Sequence, residues 1–353
     1  MSEPHRVLDD AATYEANDPH RTRDVLTGFP AQCRAAVAID TSLLPALKRP
    51  RVVVIAGMGG SAASGDLIAA CAGEHLEVPV IVHRGYGLPS VAWDDALVFA
   101  VSYSGDTAEV LSAAAMARTR RLPTVFVTSG GSLAALAAQH NLPCALVPGG
   151  LMPRMALGYL FFPMWRALRA LDLEVATVEE IDEALAVVTT LGRELAPDRP
   201  VADNEAKRLA LAVGDRWPTV YGGPLTGAMA YRWKTDFEEN AKTFALAGAL
   251  PEMNHNSIEA WRAPLAQSLH LLLLRDGGEA PEIRRRFEIL KDIVATVAGG
   301  VTECQTRGRG VLARALSLVY LGQWTSYYLA VLRGVDPWTV PQLDEIKRRL
   351  SRP

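Results

Sequence analysis

The chain is short of cysteine, of long apolar runs and of net charge. Its 353 residues include four widely spaced cysteines and no C-x-x-C pair, which argues against a zinc site or a disulfide framework. Such cysteines are typical of a reduced, cytoplasmic protein. No apolar stretch is long enough to cross a bilayer, and the polar N-terminus lacks an apolar signal segment. The net charge of −3 gives no electrostatic reason to expect nucleic acid or an anionic membrane as a partner.

Apolar strand-like runs alternate with helical stretches, which predicts an α/β protein. Five such runs lie between residues 51 and 150: VVVIA, PVIVHR, LVFAV, PTVFVT and PCALVP. A weaker repeat follows in PTVYGG, SLHLLLLRD and GVTECQT. We predict two lobes, each a doubly wound, flavodoxin-like parallel sheet flanked by helices. The predicted parts are an N-terminal helical arm (1–50), a first lobe (51–172), a helical linker (173–200), a second lobe (201–335) and a C-terminal helix (336–353).

Two loops rich in glycine and hydroxyl groups follow the first and third runs, at residues 56–66 and 101–109. Each opens an alanine-rich helix. The carboxyl ends of parallel strands meet at one edge of a sheet, where ligands bind. Glycine lets the backbone approach an anion, while a helix N-terminus and hydroxyl groups supply donors. We therefore predict a cradle for a phosphate monoester. Its residues are Gly59, Gly60, Ser61, Ser102, Ser104 and Thr107.

Two other interpretations of these loops are open. Serine, threonine and aspartate are common helix caps, so both loops could be ordinary helix starts. Gly57, Gly59 and Ala62 also match the dinucleotide fingerprint G-x-G-x-x-A. However, the next strand ends in His83 and Arg84 instead of the acidic residue that binds a ribose. This mismatch argues against a nicotinamide cofactor, and we predict no cofactor.

Three further positions carry polar groups that a core does not need. Glu239 ends a helix, where an acid opposes the helix dipole. His255 lies in MNHNSIEAW, where we expect a new helix capped by Asn254 or Asn256. Arg154 stands at the start of an apolar helix just after the fifth strand. Glu239 and His255 are candidates for proton transfer, and Arg154 is a candidate for contacting an anion at the ligand edge.

Plainer roles for these residues are also open. The acids and Arg154 could be solvated surface charges, and His255 could serve only in capping. His255 and Glu259 are spaced i, i+4 and could share a helix face as metal ligands. No cluster of third and fourth ligands accompanies them, so we predict no metal site.

Longer motifs give a resemblance to a known family. GMGGSAASGDL, SYSGDTAEVL, MPRMALGYLFFP, EENAK, MNHNSIEAW and the stretch from LARALSLVYLG to YYLAVLRGVDP resemble the bifunctional phosphoglucose/phosphomannose isomerases. These belong to the sugar isomerase (SIS) superfamily. The resemblance implies two SIS lobes, no metal, and a homodimer with the active site at the subunit interface. It also implies that glucose 6-phosphate and mannose 6-phosphate are interconverted with fructose 6-phosphate through a cis-enediolate.

The resemblance also implies roles for individual residues. The family's phosphate-binding residues fall on the predicted cradle from Gly60 onward. The isomerisation base falls on Glu239, the arginine beside the enediolate on Arg154, and the ring-opening histidine, which the partner subunit supplies, on His255. Lys347 in the C-terminal helix falls on the family's second ring-opening residue.

One departure concerns substrate range. The family often reads D-P-T-P-V where this chain reads D-P-W-T-V, so Thr339 is the candidate for the threonine tied to the mannose epimer. Two alternatives to the hexose-phosphate isomerase are an SIS isomerase of another phosphosugar and a non-catalytic sugar-phosphate sensor. A sensor would not need Glu239, and it usually carries an appended DNA-binding module that this chain lacks.

Overall fold

The computed structural model describes residues 7–39, 49–92 and 95–350, except the side chains of residues 74 and 75. These form two compact units. The first unit comprises Gly28–Thr189 and Gly308–Leu316. The second unit comprises Thr190–Arg307, with the described residues up to Thr27 and from Ser317 onward.

The first unit contains a five-stranded parallel sheet. Its strands are β1 (Val52–Ala56), β2 (Val80–His83), β3 (Ala96–Val101), β4 (Thr124–Thr128) and β5 (Cys144–Leu146). Their spatial order is β2-β1-β3-β4-β5, with every pair parallel. All residues of β1 and β3 are buried, as expected for strands covered by helices on both faces. The five predicted strands and the flavodoxin-like order are confirmed.

The second unit contains a four-stranded parallel sheet. Its strands are β6 (Trp217–Gly222), β7 (Leu246–Ala249), β8 (Leu269–Arg275) and β9 (Gly300–Gln305), in the order β7-β6-β8-β9. Three of them confirm the predicted runs. The fourth, β7, was not predicted because its sequence, LAGA, is short and has weak strand propensity. The strand forms by pairing with β6. Gly248 leaves room for the ring of Tyr221, because a Cβ at position 248 would lie only 2.9 Å from that ring.

Helices connect and cover the strands. They are α1 (Ala11–Asn17), α2 (Thr22–Thr27), α3 (Phe29–Val37), α4 (Gly59–His75), α5 (Ala108–Thr119), α6 (Gly131–Gln139), α7 (Leu157–Arg169), α8 (Val178–Glu194), α9 (Glu205–Val213), α10 (Gly227–Asn240), α11 (Pro281–Val294), α12 (Val311–Leu332) and α13 (Pro341–Leu350). Helices α1 to α3 fall in the predicted N-terminal arm. Of the helices in the described ranges, none has the length and apolar content that crossing a bilayer requires.

Close packing of α10 against α12 organises the second unit. The indole Nε1 of Trp233 donates to the carbonyl oxygen of Leu318 at 2.7 Å. A Cβ at Gly322 would lie 2.3 Å from the same nitrogen, so only glycine admits the ring there. At the last residue of α10, Asn240 Nδ2 donates to Ser326 Oγ at 2.9 Å. Both bonds fix the end of α10, which carries Glu239.

A buried histidine on β8 links the stability of this sheet to pH. His270 is 4% exposed, and its Nε2 lies 2.9 Å from Thr302 Oγ1 on β9. Its Nδ1 has no hydrogen-bond partner among the residues that the structure describes. Burial, with a smaller effect from Arg216, lowers the pKa of His270 from 6.5 to about 4.

Acid should destabilise the second unit through His270. Between pH 6.5 and about 4 the unfolded chain protonates this histidine and the folded chain does not, so the free energy of unfolding falls as the pH is lowered. The slope approaches about 1.4 kcal/mol per pH unit. His270→Gln should flatten this dependence when urea unfolding is compared at about pH 7 and about pH 4.5. His140→Gln, at an exposed histidine, is the control. Equal slopes for the wild type and His270→Gln would contradict the prediction.

Candidate active site

The start of α4 is built for close backbone approach. Gly59 has a φ of +51°, the left-handed conformation that glycine adopts without strain. A Cβ at Gly60 would lie 2.5 Å from the carbonyl oxygen of Pro153 and 2.9 Å from the Cα of Arg154. Glycine at position 60 therefore lets the turn that carries Arg154 pack directly on the first turn of α4.

The two predicted loops meet, and their hydroxyl groups make no capping bonds at the helix starts. The N–H of Tyr103 donates to Ser61 Oγ at 3.3 Å, which joins the loops. Ser102 Oγ lies 2.9 Å from Thr107 Oγ1 and accepts from the N–H of Gly105 at 3.0 Å. Neither α4 nor α5 receives a side-chain hydrogen bond at its N-cap. Thr107 stands at the N-cap position of α5, but its hydroxyl group makes no capping bond there, which weakens the interpretation of these hydroxyl groups as helix caps.

The cradle residues differ in exposure. Ser61 and Ser102 are buried, Thr107 is half-buried and Ser104 is exposed. All of them lie at the carboxyl ends of β1 and β3, beside the N-termini of α4 and α5, whose N–H groups favour an anion. The structure thus gathers buried and accessible hydroxyl groups around two helix N-termini.

Arg154 is not a solvated surface charge. It is 1% exposed, in a 3₁₀ turn, Pro153–Met155, that precedes α7. Gln32 holds this turn: its Nε2 donates to the carbonyl oxygen of Met155 and its Oε1 accepts from the N–H of Gly158, both at 2.9 Å. Removing a guanidinium from water is costly unless anionic or polar groups compensate. Gln32 was not predicted, because only the folded chain brings α3 to this turn.

Two acids, Glu238 and Glu239, stand near the end of α10. Glu238 Oε2 lies 2.7 Å from Lys234 Nζ, one turn earlier on the helix. Glu239 is half-buried. By helical spacing it lies on the same face of α10 as the buried ion pair between Arg232 and Asp236. Glu238 is thus paired with a lysine of its own helix, and the assignment of Glu239 to proton transfer stays a prediction.

His255 is exposed, and its segment is not the helix that we predicted. Residues 252–260 form two 3₁₀ turns, Glu252–His255 and Ser257–Ala260. Asn256 separates them: its Oδ1 accepts from the N–H of Ser257 at 2.6 Å and its Nδ2 donates to Glu252 at 2.8 Å. These bonds satisfy the backbone locally and stop an α-helix from continuing. His255 and Glu259 therefore do not share an α-helical face, and the metal-ligand interpretation loses its geometric basis.

Lys347 lies on α13, which has no buried residue. Leu343, Ile346 and Leu350 form an exposed apolar stripe on this helix, at helical spacing. The cradle and Arg154 belong to the first unit, whereas Glu239, His255 and Lys347 belong to the second.

Two further findings concern other parts of the molecule. Among the residues described, no group of three or more His, Cys, Asp or Glu side chains could hold a metal ion. A cavity of about 370 Å³ in the second unit is lined by Asp9, Tyr14, Arg23 and residues 197–200, among others. None of the predicted site residues lines that cavity.

Comparison with known proteins gives the family. Residues 46–148 match the SIS domain, and residues 202–350 match the bacterial phospho-glucose isomerase C-terminal SIS domain. A protein of Caldicellulosiruptor bescii named bifunctional phosphoglucose/phosphomannose isomerase is 35% identical over 92% of this chain and 97% of its own length. The chain belongs to the bifunctional phosphoglucose/phosphomannose isomerase family. The resemblance stated from the motifs is thereby confirmed.

A second relative and a solved structure are also similar to this chain. The bifunctional phosphoglucose/phosphomannose isomerase of Thermoplasma acidophilum is 32% identical over 85% of this chain and 89% of its own. A crystal structure of a glucose-6-phosphate isomerase like protein from Thermus thermophilus matches with a TM-score of 0.61 over 97% of this chain and 98% of that one, at 23% identity. This structural match supports the fold described above for this chain.

If the cradle binds the phosphate, removing one of its hydroxyl groups should weaken the binding of a sugar phosphate. Ser61→Ala and Thr107→Val each remove a hydroxyl group that a phosphate would use, so binding of glucose 6-phosphate should weaken by roughly 1–3 kcal/mol per variant. Isothermal titration measures this loss directly. Thr119→Val is the matched control, because Thr119 is exposed and donates to the carbonyl oxygen of Ala115 in its own helix. Unchanged affinity in Ser61→Ala or Thr107→Val would show that the loops are misassigned.

Proposed function

We propose that this family member interconverts glucose 6-phosphate, and mannose 6-phosphate, with fructose 6-phosphate by a metal-independent aldose–ketose isomerisation. The observation that carries the proposal is the packing of a buried arginine turn onto a phosphate cradle. The backbone of Arg154 touches the position of Gly60, so a cation and a set of phosphate donors share one edge of the first sheet. That combination suits a substrate with a phosphate at one end and a developing oxyanion at the other.

The proton transfers need one base and one stabilising cation. In the open-chain aldose, the carboxylate of Glu239 removes the proton from C2, and the electron pair moves to the C1 carbonyl oxygen to give a cis-enediolate. Glu239, whose carboxyl proton can exchange with solvent at this stage, then gives a proton to C1 while a hydroxyl proton moves from O2 to O1, which leaves the carbonyl at C2. Arg154 stabilises the negative oxygen of the intermediate. The motif supports Glu239 as the base, because Glu239 is the acid that stands directly before Asn240-Ala241-Lys242, as in the family.

Ring opening must come first, because these sugars are mostly cyclic. It requires a proton at the ring oxygen and removal of one from the C1 hydroxyl group, and His255 and Lys347 are proposed to share that work. The phosphate contributes binding energy remote from the reacting carbons, which holds C1 and C2 against the base.

We further propose that the protein is a homodimer in which His255 is supplied across the interface. The turn that carries His255 directly follows β7, the exposed edge strand of its sheet. Beside that strand lies an apolar patch of Trp217, Phe244 and Leu246, of which Phe244 is 74% exposed. The rings of Trp217 and Phe244 stand 5.8 Å apart. Exposed edges and apolar patches of this kind are features that a second copy would cover.

Other phosphosugar activities are the main alternative. A D-glucosamine-6-phosphate 4-epimerase of Sulfolobus acidocaldarius is 28% identical over 62% of this chain and 66% of its own length. The assignment of Thr339, which is exposed, to acceptance of the mannose epimer is likewise a proposal. The four free cysteines support placing the enzyme in a reducing, cytoplasmic compartment.

A coupled assay tests the proposed reaction. The protein should convert glucose 6-phosphate and mannose 6-phosphate to fructose 6-phosphate at rates that EDTA does not change, since Arg154 rather than a metal stabilises the enediolate. Unphosphorylated glucose is the matched substrate control and should react poorly, because it cannot use the cradle. Loss of activity in EDTA that added zinc restores would exclude the metal-free mechanism.

Two variants separate the base from the ring-opening residue. Glu239→Gln should slow exchange of the C2 proton of glucose 6-phosphate with solvent by at least about 10²–10⁴-fold, because the amide cannot accept the proton. His255→Ala should slow turnover of the cyclic sugar but have much less effect on an aldose phosphate too short to close the same ring. A fully active Glu239→Gln enzyme would overturn the mechanism.

The same variants test the dimer. Inactive Glu239→Gln and His255→Ala chains, mixed under subunit exchange, should regain activity, because one site of each heterodimer then holds both intact residues. The control is either variant exchanged with itself. No recovery, with exchange verified by mass, would show that His255 acts within its own chain.

A further inference from the structure

A third loop lies at the carboxyl edge of the first sheet, next to the cradle. It follows β4, spans residues 128–132 and leads into α6. Thr128 Oγ1 donates to the carbonyl oxygen of Gly130 at 2.9 Å, which shapes the loop internally. The function proposed above assigns nothing to this loop.

The third loop is joined to the cradle loop through backbone contacts. The N–H of Ser129 donates to the carbonyl oxygen of Tyr103, and the N–H of Leu133 donates to that of Gly105, both at 3.0 Å. Gly105 has a φ of +78°, and a Cβ there would lie 1.9 Å from the carbonyl oxygen of Gly130. The approach is closer than any side chain allows, so the two loops pack as one body.

Asp106 makes the one charged link of this junction among the described residues. Its Oδ1 accepts the N–H of Ser132 at 2.9 Å, in the first turn of α6. The bond places a carboxylate at the positive end of a helix other than its own. Hydrogen bonds from Ser132 hold the pKa of Asp106 below its ordinary value, so the group stays ionised.

This link matters because Asp106 lies inside the cradle sequence, directly before Thr107. A carboxylate turned towards the cradle would repel a phosphate dianion, while one bound to α6 directs its charge at hydrogen-bond donors. The bond also fixes the backbone between Ser104 and Thr107, two of the cradle residues. Preorganisation of this kind reduces the ordering that substrate binding would otherwise require.

We propose that Asp106 is a positioning residue of the phosphate site, which holds the cradle loop in its binding conformation by accepting the amide of Ser132. The inference rests on the proposed function for its ligand, a sugar phosphate. It predicts an effect on binding and KM rather than on kcat, since Asp106 touches neither of the carbons that react.

The test compares Asp106→Ala with Asp106→Asn. The alanine variant loses the bond to Ser132 and should raise the Kd of glucitol 6-phosphate, a non-isomerisable sugar phosphate, about tenfold. The KM for glucose 6-phosphate should rise similarly, with kcat changed less than about twofold. The asparagine oxygen can accept the same amide, so Asp106→Asn should bind within about threefold of the wild type.

A second variant and a charge control sharpen this comparison. Asp106→Ser keeps a polar side chain, but its oxygen is too short to reach the amide of Ser132. It should raise the Kd about as much as expected for Asp106→Ala, and it replaces that variant in the test if the alanine protein folds poorly. Glu109→Gln removes a different carboxylate, from the first turn of α5, and should not raise the Kd. In both Asp106→Ala and Asp106→Ser, hydrogen exchange at the Ser132 amide should accelerate.

Three outcomes would overturn the inference: an unchanged Kd in Asp106→Ala and Asp106→Ser, equal impairment in Asp106→Asn and Asp106→Ala, or a fall in kcat with no change in Kd. The binding assay is independent of catalysis. A wild-type protein that bound glucitol 6-phosphate but isomerised no hexose phosphate would refute the proposed function, and the variants would still decide the role of Asp106.

Discussion

The candidate site of the first unit depends on two places where backbone meets backbone with no room for a side chain. At Gly60 the first turn of α4 lies against Pro153, and at Gly105 the cradle loop lies against Gly130. Phosphate binding needs donors held at close and definite positions, because a flexible loop would have to be ordered on binding. These two contacts set the positions of the hydroxyl groups and helix N-termini before any ligand arrives.

Two charged residues, Arg154 and Asp106, lie at this edge of the sheet, and each is held by neighbouring segments. Arg154 is buried in a turn whose backbone is held by Gln32, through bonds to Met155 and Gly158. Asp106, the anion nearest to the cradle in sequence, is bonded to the start of α6. A buried cation thus lies beside the predicted cradle and a nearby anion is bonded to a neighbouring helix, a distribution that suits the proposed binding of a phosphorylated sugar.

The second unit is built on one tight helix contact and one weak strand. The indole of Trp233 occupies the space that Gly322 leaves, and this contact anchors the helix that ends at Glu239 and Asn240. In contrast, β7 is partly exposed and, apart from Leu246, composed of small residues. The proposed base, Glu239, lies at a helix end that is held in place, whereas the proposed ring-opening residue, His255, lies on an exposed turn. These positions suit the different roles proposed for them. The base requires exact placement, whereas the histidine is proposed to act in a second chain.

The sequence by itself determined the elements that have local signals. Strands such as Val52–Ala56 and Ala96–Val101 are uninterrupted apolar runs, the cradle loops stand directly after them, and the motifs around Glu239 and His255 are sufficient to indicate the family. Only the tertiary structure decided what depends on distant partners. Strand β7 forms because β6 offers its edge, Arg154 is buried because α3 brings Gln32 to its turn, and the helix expected at His255 is replaced by turns that Asn256 bonds locally. Likewise, the role inferred for Asp106 arises from a helix 26 residues further along the chain. Periodicity and turn chemistry act over a few residues, whereas burial and hydrogen bonding between distant segments are settled only when the chain has folded.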